Sequence, residues 1–152
     1  MKRRALITGP TAGIGNAYAR ELAGRGYDLT LVARDTAKME TIAAQLRSKH
    51  RIDVDVITAD LTTVEGVADT VNAVTDTTKR VDLLVNNAGA SLAGWFGTTN
   101  IADEDRQLDL LVRAPMHLMD AAIKSMLKNS HCWFTSAPLP PVSFTTSNAM
   151  GV

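Results

Sequence analysis

The chain has 152 residues, 45% of them apolar and 21% charged, which suits one soluble domain able to bury a core of its own. Sixteen basic residues offset sixteen acidic ones, so no overall field draws in nucleic acid or an anionic membrane, and any phosphate recognition has to be local. The single cysteine, Cys132, excludes an internal disulfide and has no metal-ligand spacing with His50, His117 or His131, so no metal site is expected.

Lys2, Arg3 and Arg4 precede an apolar stretch, but Gly9, Pro10, Gly13 and Gly15 break it before a secretory core can form. No apolar run approaches the roughly 20 residues that span a bilayer, so a cytoplasmic protein without membrane contact is expected. Residues 5–8 read as a first strand ending in a glycine-rich turn, after which Ile14, Ala17, Tyr18 and Leu22 recur at helical spacing. Gly26 suits the residue just past that helix, where a left-handed backbone is often needed, and Leu29–Ala33 is a second apolar strand. A helix from about Thr36 to Ser48 and a third strand at Val54–Thr58 follow. Thr62 and Thr63 before Glu65 signal a helix start, and residues 64–76 put Val64, Val67, Ala68, Val71 and Val74 on one face.

Asp82–Asn86 reads as a fourth strand. Beyond a Gly- and Thr-containing connection at 90–100, residues 103–127 carry a stripe of Leu108, Leu111, Val112, Met116, Met119, Ala122, Ile123 and Met126. The stripe predicts one long helix on the sheet, its methionines filling the core rather than lining a cofactor box. Cys132–Thr135 has the makings of a fifth strand, whereas 137–152, with Pro138, Pro140, Pro141 and the polar run SFTTSN, shows no period and reads as a poorly ordered tail. Nearly all-apolar strands alternating with helices indicate an α/β, doubly wound parallel sheet of Rossmann type. The reading therefore divides the chain into a dinucleotide-binding domain at 1–136, incomplete on its C-terminal side, and the tail.

The first strand-to-helix turn is Thr8-Gly9-Pro10-Thr11-Ala12-Gly13-Ile14-Gly15. Glycines there permit a tight turn, let a pyrophosphate approach the backbone, and let the helix pack closely on the strand. The helix N-terminus adds free N–H groups and the positive end of a dipole. A lone glycine triplet is often only a tight turn; its place between the first strand and the first helix gives it weight here.

The spacing Gly9-x-x-x-Gly13-x-Gly15, together with Asn86-Asn87-Ala88-Gly89 after the fourth strand and Asp60-Leu61 after the third, resembles the short-chain dehydrogenase/reductase family from residue 5 to about 136. The resemblance implies a nicotinamide dinucleotide held by Gly9, Thr11, Ala12, Gly13, Ile14 and Gly15, its adenine at Asp60 and Leu61, with Asn87, Ala88 and Gly89 walling the ribose. In that family a carboxylate at the end of the second strand marks NAD users. Here Ala33 stands there, followed by Arg34, whose planar fork suits a 2′-phosphate, so NADP is favoured over NAD. The alternative for Arg34 is a solvated surface side chain, and Asp35 next to it would soften the preference.

Catalysis in the family uses an Asn in the long helix, a Ser after the fifth strand, and a Tyr-x-x-x-Lys pair whose Lys lowers the Tyr pKa for proton exchange with a carbonyl or alcohol substrate. Leu111 falls at the Asn position and Ser136 matches the Ser, followed by Ala137-Pro138. No tyrosine follows Tyr27 and no lysine follows Lys128; Ser147 and Gly151 stand where the pair would be. From Trp133 onward, codons read from their third base permit Val-His-Val-Ser-Ser-x-Ala-Ala-Gly-Phe, close to the family's fifth strand and Ser-bearing turn. A frame shift near Cys132 in a full-length reductase gene would account for that tail. Two readings follow: an NADP-dependent oxidoreductase by family, or a cofactor-binding remnant without turnover, with the elements for the substrate pocket and the family's oligomer interface missing. A protein-interaction module using the sheet edge has no positive support in the residues.

Overall fold

Strand β1 (Arg4–Thr8) is buried along its whole length, as expected of an apolar run flanked by neighbours and covered on both faces. The computed structural model describes residues 2–92, 94, 95 and 97–129. The elements continue with α1 (Gly13–Gly24), β2 (Asp28–Ala33), α2 (Thr36–His50), β3 (Val54–Thr58), α3 (Val64–Thr75), β4 (Leu83–Val85), α4 (Ile101–Leu108), a π turn (Asp109–Arg113) and α5 (Ala114–Asn129). The strands form a parallel sheet in the order β3-β2-β1-β4, with Arg4 opposite Asp28 and Ala5 opposite Leu83. The chain steps outward from β1 to β3, then returns past β1 to β4, so the direction of winding reverses beside β1. The Rossmann-like doubly wound sheet read from the sequence is thus the fold observed.

Successive residues of β1 serve opposite faces. Ala5 and Ile7 join Leu29 and Leu31 in a core closed by Ala19, Leu22 and Ala23 of α1 and by Met39, Ile42, Ala43 and Leu46 of α2. Leu6 and Val32 face the other way, onto Val74 of α3 and Leu118, Ala121 and Ala122 of α5. Helix α1 ends in a Schellman motif: Gly26 N–H donates to Ala23 O and Tyr27 N–H to Leu22 O, with Gly26 at φ +80° as the sequence implied. Side chains cap the starts of α2, α3 and α4: Asp35 accepts from Lys38 N–H, Thr63 from Gly66 N–H and Asn100 from Ala102 N–H.

Three helical faces differ from the sequence reading. The long helix is interrupted by the π turn, whose extra residue per turn shifts the face presented to the sheet. The buried positions become Ala114, Leu118, Ala121 and Ala122, mostly small residues that let the helix approach closely. Leu108, Leu111, Val112, Met116, Met119 and Ile123 are exposed, so the two central methionines do not fill the core. In α1, Ile14 and Tyr18 are likewise exposed while Gly15 and Ala19 are buried. In α3 the buried line is Gly66-Thr70-Val74, with Val64 in solvent. Leu22, Val74 and Ala122 of the expected faces are buried, and Val71 and Met126 pack against the core, but small residues share the contact with the sheet and neighbouring helices, so a pattern built on large apolar residues places only part of each face. The predicted strand at 132–135, the domain boundary at 136 and the tail at 137–152 lie outside the described residues.

At the N-terminal end of the sheet, the buried guanidinium of Arg4 donates to Asp53 at 2.7 Å, Asp55 at 2.6 Å and Leu29 O at 3.2 Å. Lys79 reaches Asp55 at 2.7 Å. The Asp53 carboxyl is held below its usual 3.8 chiefly by the Arg4 hydrogen bond, against an opposing effect of burial, and further by the charges of Arg4 and Lys79. Its pKa is lowered by folding, so its stabilisation is complete above the unfolded value and fades as pH falls through the folded one. Asp53→Asn is expected to cost under about 1 kcal/mol at neutral pH, because the carboxylate is more than half exposed. In urea denaturation that gap should close as the solution is acidified; a gap unchanged far into the acid range would show that Asp53 acts through packing instead.

Candidate functional site

The C-terminal ends of β1, β2, β3 and β4 open into one cleft of about 950 Å³, beside the point where the winding reverses. Open α/β sheets bind ligands at such points because the loops leaving neighbouring strands diverge there. Gly9, Thr11, Ala12, Gly13 and Ile14 line the cleft from the first turn, Arg34 from the end of β2, Asp60 and Leu61 from the end of β3, and Asn87, Ala88 and Gly89 from the end of β4. Gly15 stands behind that wall. A methyl group on it would meet Gly9 O at 2.2 Å and Asn87 Nδ2 at 2.4 Å, so its lack of a side chain allows α1 to pack against the turn. Ser136 lies outside the described residues.

Two features of the first turn suit an anion. Gly13 has φ +51° and nothing within 4 Å of where a Cβ would stand, so its backbone borders open space. Helix α1 begins after Ala12 with no side-chain cap, unlike α2, α3 and α4. Its first N–H groups therefore keep their hydrogen-bonding capacity for something in the cleft.

Thr8, which sequence reasoning placed in the motif without a role, joins β1 to β4. Its hydroxyl accepts from Asn87 N–H and Ala88 N–H, both at 3.0 Å. Asn87 answers by donating its side-chain amide to Thr8 O at 3.1 Å and Gly9 O at 3.0 Å. Asn87 thus fixes the glycine turn relative to β4, and Gly9 allows the approach: a Cβ on it would lie 2.8 Å from Ala88 Cα.

Asp60 accepts from Thr62 N–H at 3.0 Å and from the Thr62 hydroxyl at 2.9 Å. The Thr62 N–H bond is the main cause holding its carboxyl below the usual range; burial opposes this, and the Thr62 hydroxyl and the charges of Arg34 and Arg106 reinforce it. Asp60 stays ionised at neutral pH and orders the loop after β3. Asp35, whose charge the sequence set against Arg34, spends one oxygen on capping α2 at 2.9 Å from Lys38 N.

The far wall of the cleft was not foreseen. Asp103, Arg106 and Gln107 of α4 and Leu110 of the π turn line it, with Ser91 and Leu92. The spacing 103, 106 and 107 marks one face of α4, and its polar rather than apolar character was the signal available. Leu111, at the family's Asn position, is in the π turn, its Cδ2 3.4 Å from where a Cβ on Gly89 would be. Among the described residues no cluster of His, Cys, Asp or Glu is arranged to hold a metal, and no helix is long and apolar enough to cross a membrane.

The sequence pattern of the short chain dehydrogenases matches residues 3–132. An uncharacterized oxidoreductase of Staphylococcus epidermidis is 32% identical over 126 residues, covering 83% of this chain and 53% of its own. Among solved structures, a bulky-bulky ketone specific alcohol dehydrogenase from Comamonas testosteroni is 36% identical with a TM-score of 0.79, over 83% of this chain and 50% of that one. A short-chain dehydrogenase from Sphingobium yanoikuyae in complex with NADPH is 32% identical with the same TM-score of 0.79, over 83% and 49%. The chain belongs to the short-chain dehydrogenase family, and it spans about half the length of the curated relatives it matches.

Proposed function

We propose that the cleft binds NADP(H) and that the chain is an oxidoreductase by descent whose turnover is impaired by Leu111 at the Asn position and by Ser147 and Gly151 where the Tyr-x-x-x-Lys pair would stand. The observation that carries the binding reading is the uncapped start of α1 opening on a cleft at the reversal of winding, with Arg34 at the rim. The first-turn N–H groups of α1 and the bare backbone of Gly13 meet the pyrophosphate. Asp60 and Leu61 border the adenine, and Asn87, Ala88 and Gly89 form the wall against which the ribose rests. Arg34 faces the 2′-phosphate, and the engagement of Asp35 in capping α2 weakens the argument that this carboxylate opposes it. A bound nicotinamide supplies or accepts hydride; the partner substrate would be a small carbonyl or alcohol. Support for NADP comes from the relative solved with NADPH.

Catalytic impairment rests on residues. Leu111 cannot offer the hydrogen bonds of an Asn, and Ser147 and Gly151, where the Tyr-x-x-x-Lys pair would stand, cannot exchange a proton as a Lys-tuned phenol does. Fluorescence titration with NADPH and NADH tests the binding reading. NADPH is expected to bind more tightly, and Arg34→Ala to weaken it by about 1.5–3 kcal/mol, the scale of a hydrogen bond to a charged group, with little change for NADH. Equal affinities in the parent, or an unchanged preference in Arg34→Ala, would overturn the assignment of NADP.

A further inference from the structure

Helix α4 is amphipathic in the reverse of the usual sense. Ile101 and Leu108 face solvent, 66% and 59% exposed, and no residue of the helix is buried. Asp103, Arg106 and Gln107 face the cleft. Packing on a core does not explain that orientation, since a helix held by hydrophobic burial turns its apolar side inward. Gln107 fixes the helix over the cleft by donating to Ala90 O at 3.2 Å. Asp103 holds the Arg106 guanidinium at 2.5 Å, one helical turn away. The arginine therefore lines the same cleft as Arg34, with its donors beyond the one shared with Asp103 still available.

We propose that Arg106 is a second specificity-determining arginine, which meets the phosphorylated adenosine end of the dinucleotide from α4 while Arg34 meets it from β2. The inference rests on the NADP(H) reading above. Arg34, Asp60 and Arg106 line the same cleft, which places both guanidiniums in one space with the loop after β3 assigned to adenine, and the Asp60 carboxyl feels the charges of both. Two guanidiniums divide the charge of a phosphate dianion better than one, each offering a planar fork. Asp103 limits this by competing for Arg106. Removing its charge should release the guanidinium and relieve repulsion of the ligand.

The test uses the whole chain and four probes: NADPH, NADH, adenosine 2′,5′-bisphosphate and 5′-AMP. Arg106→Ala should weaken NADPH and the bisphosphate about tenfold, as expected for one exposed charge-assisted contact, and leave NADH and 5′-AMP within about twofold. Arg106→Lys should retain part of the affinity, and Asp103→Asn should strengthen the bisphosphate relative to 5′-AMP. All these differences should shrink as salt rises. Arg106 is 66% exposed, so its variants should fold, and matching thermal melts would establish that. Unchanged NADPH affinity in Arg106→Ala, or equal losses for all four probes, overturns the role of Arg106 while the NADP(H) reading stands. A parent chain that binds none of the probes removes that reading, and this one with it.

Discussion

The purified 152-residue chain is expected to bind NADPH without oxidising it at a useful rate when offered ketones, aldehydes and quinones. The expectation depends on proton transfer rather than on cofactor affinity. Reduction of a carbonyl requires a proton at oxygen, and a positioned general acid typically contributes about 10²–10⁴-fold to that step. On the reading proposed above, Ser147 and Gly151 stand where the Tyr-x-x-x-Lys pair would be and Leu111 where the Asn would be. Ser136 can donate a hydrogen bond to a carbonyl oxygen, but no base in its neighbourhood of the sequence tunes its hydroxyl. Following NADPH absorbance with the parent and Ser136→Ala should give equal, near-background rates. Robust turnover that vanishes in Ser136→Ala would refute the impaired reading and call for an acid not yet recognised.

The β strands were the most legible part of the molecule. Buried parallel strands are apolar on both faces, so residues 5–8 and Leu29–Ala33 announce themselves without any need to choose a side, whereas Val54–Thr58, at the sheet edge and only partly buried, is marked by its β-branched residues. The glycine turn was legible for a different reason: close approach of backbone to backbone can be met only by Gly, which leaves Gly9 and Gly15 visible in the sequence. Helix faces were harder. Helix α5 is apolar around much of its circumference, and the π turn before it changes which residues meet the sheet, a shift that a fixed 3.6-residue period cannot anticipate. The polar wall formed by α4 was missed because apolar periodicity searches for cores, and a helix placed over a ligand cleft has none. Thr8 escaped because its hydroxyl bonds residues 79 and 80 positions later, Asn87 and Ala88, a relation fixed by the sheet order.

Gly66→Ala should be the most damaging single methyl addition outside the glycine turn. Gly66 is the third residue of α3, where alanine would ordinarily improve helix propensity by about 1 kcal/mol. Its surroundings reverse the sign. An added Cβ would stand 2.1 Å from Asp60 O, 2.7 Å from Asp60 C and 2.8 Å from Asp60 N, all backbone atoms that cannot rotate away. The loop is held there from several directions: Thr63 donates to Asp60 O through its N–H at 3.0 Å and its hydroxyl at 2.9 Å, and Gly66 N–H donates to Thr63 Oγ1 at 3.0 Å. On the other side Thr70, fully buried, donates to Gly66 O at 2.8 Å. Relief therefore requires the loop after β3 to move away from α3, carrying Asp60 and Leu61 out of the cleft wall. Overpacking of a closed site costs about 1–3 kcal/mol and more where backbone must shift, which outweighs the propensity gain. Urea denaturation should show a loss of at least about 2 kcal/mol, and NADPH affinity should fall with it. Gly24→Ala is the control: the nearest atom to its added methyl is His50 Cε1 at 3.9 Å, ordinary contact, so that variant should be neutral or slightly stabilised. A Gly66→Ala chain as stable as Gly24→Ala would mean that Asp60 and the loop after β3 do not lie against α3 as described.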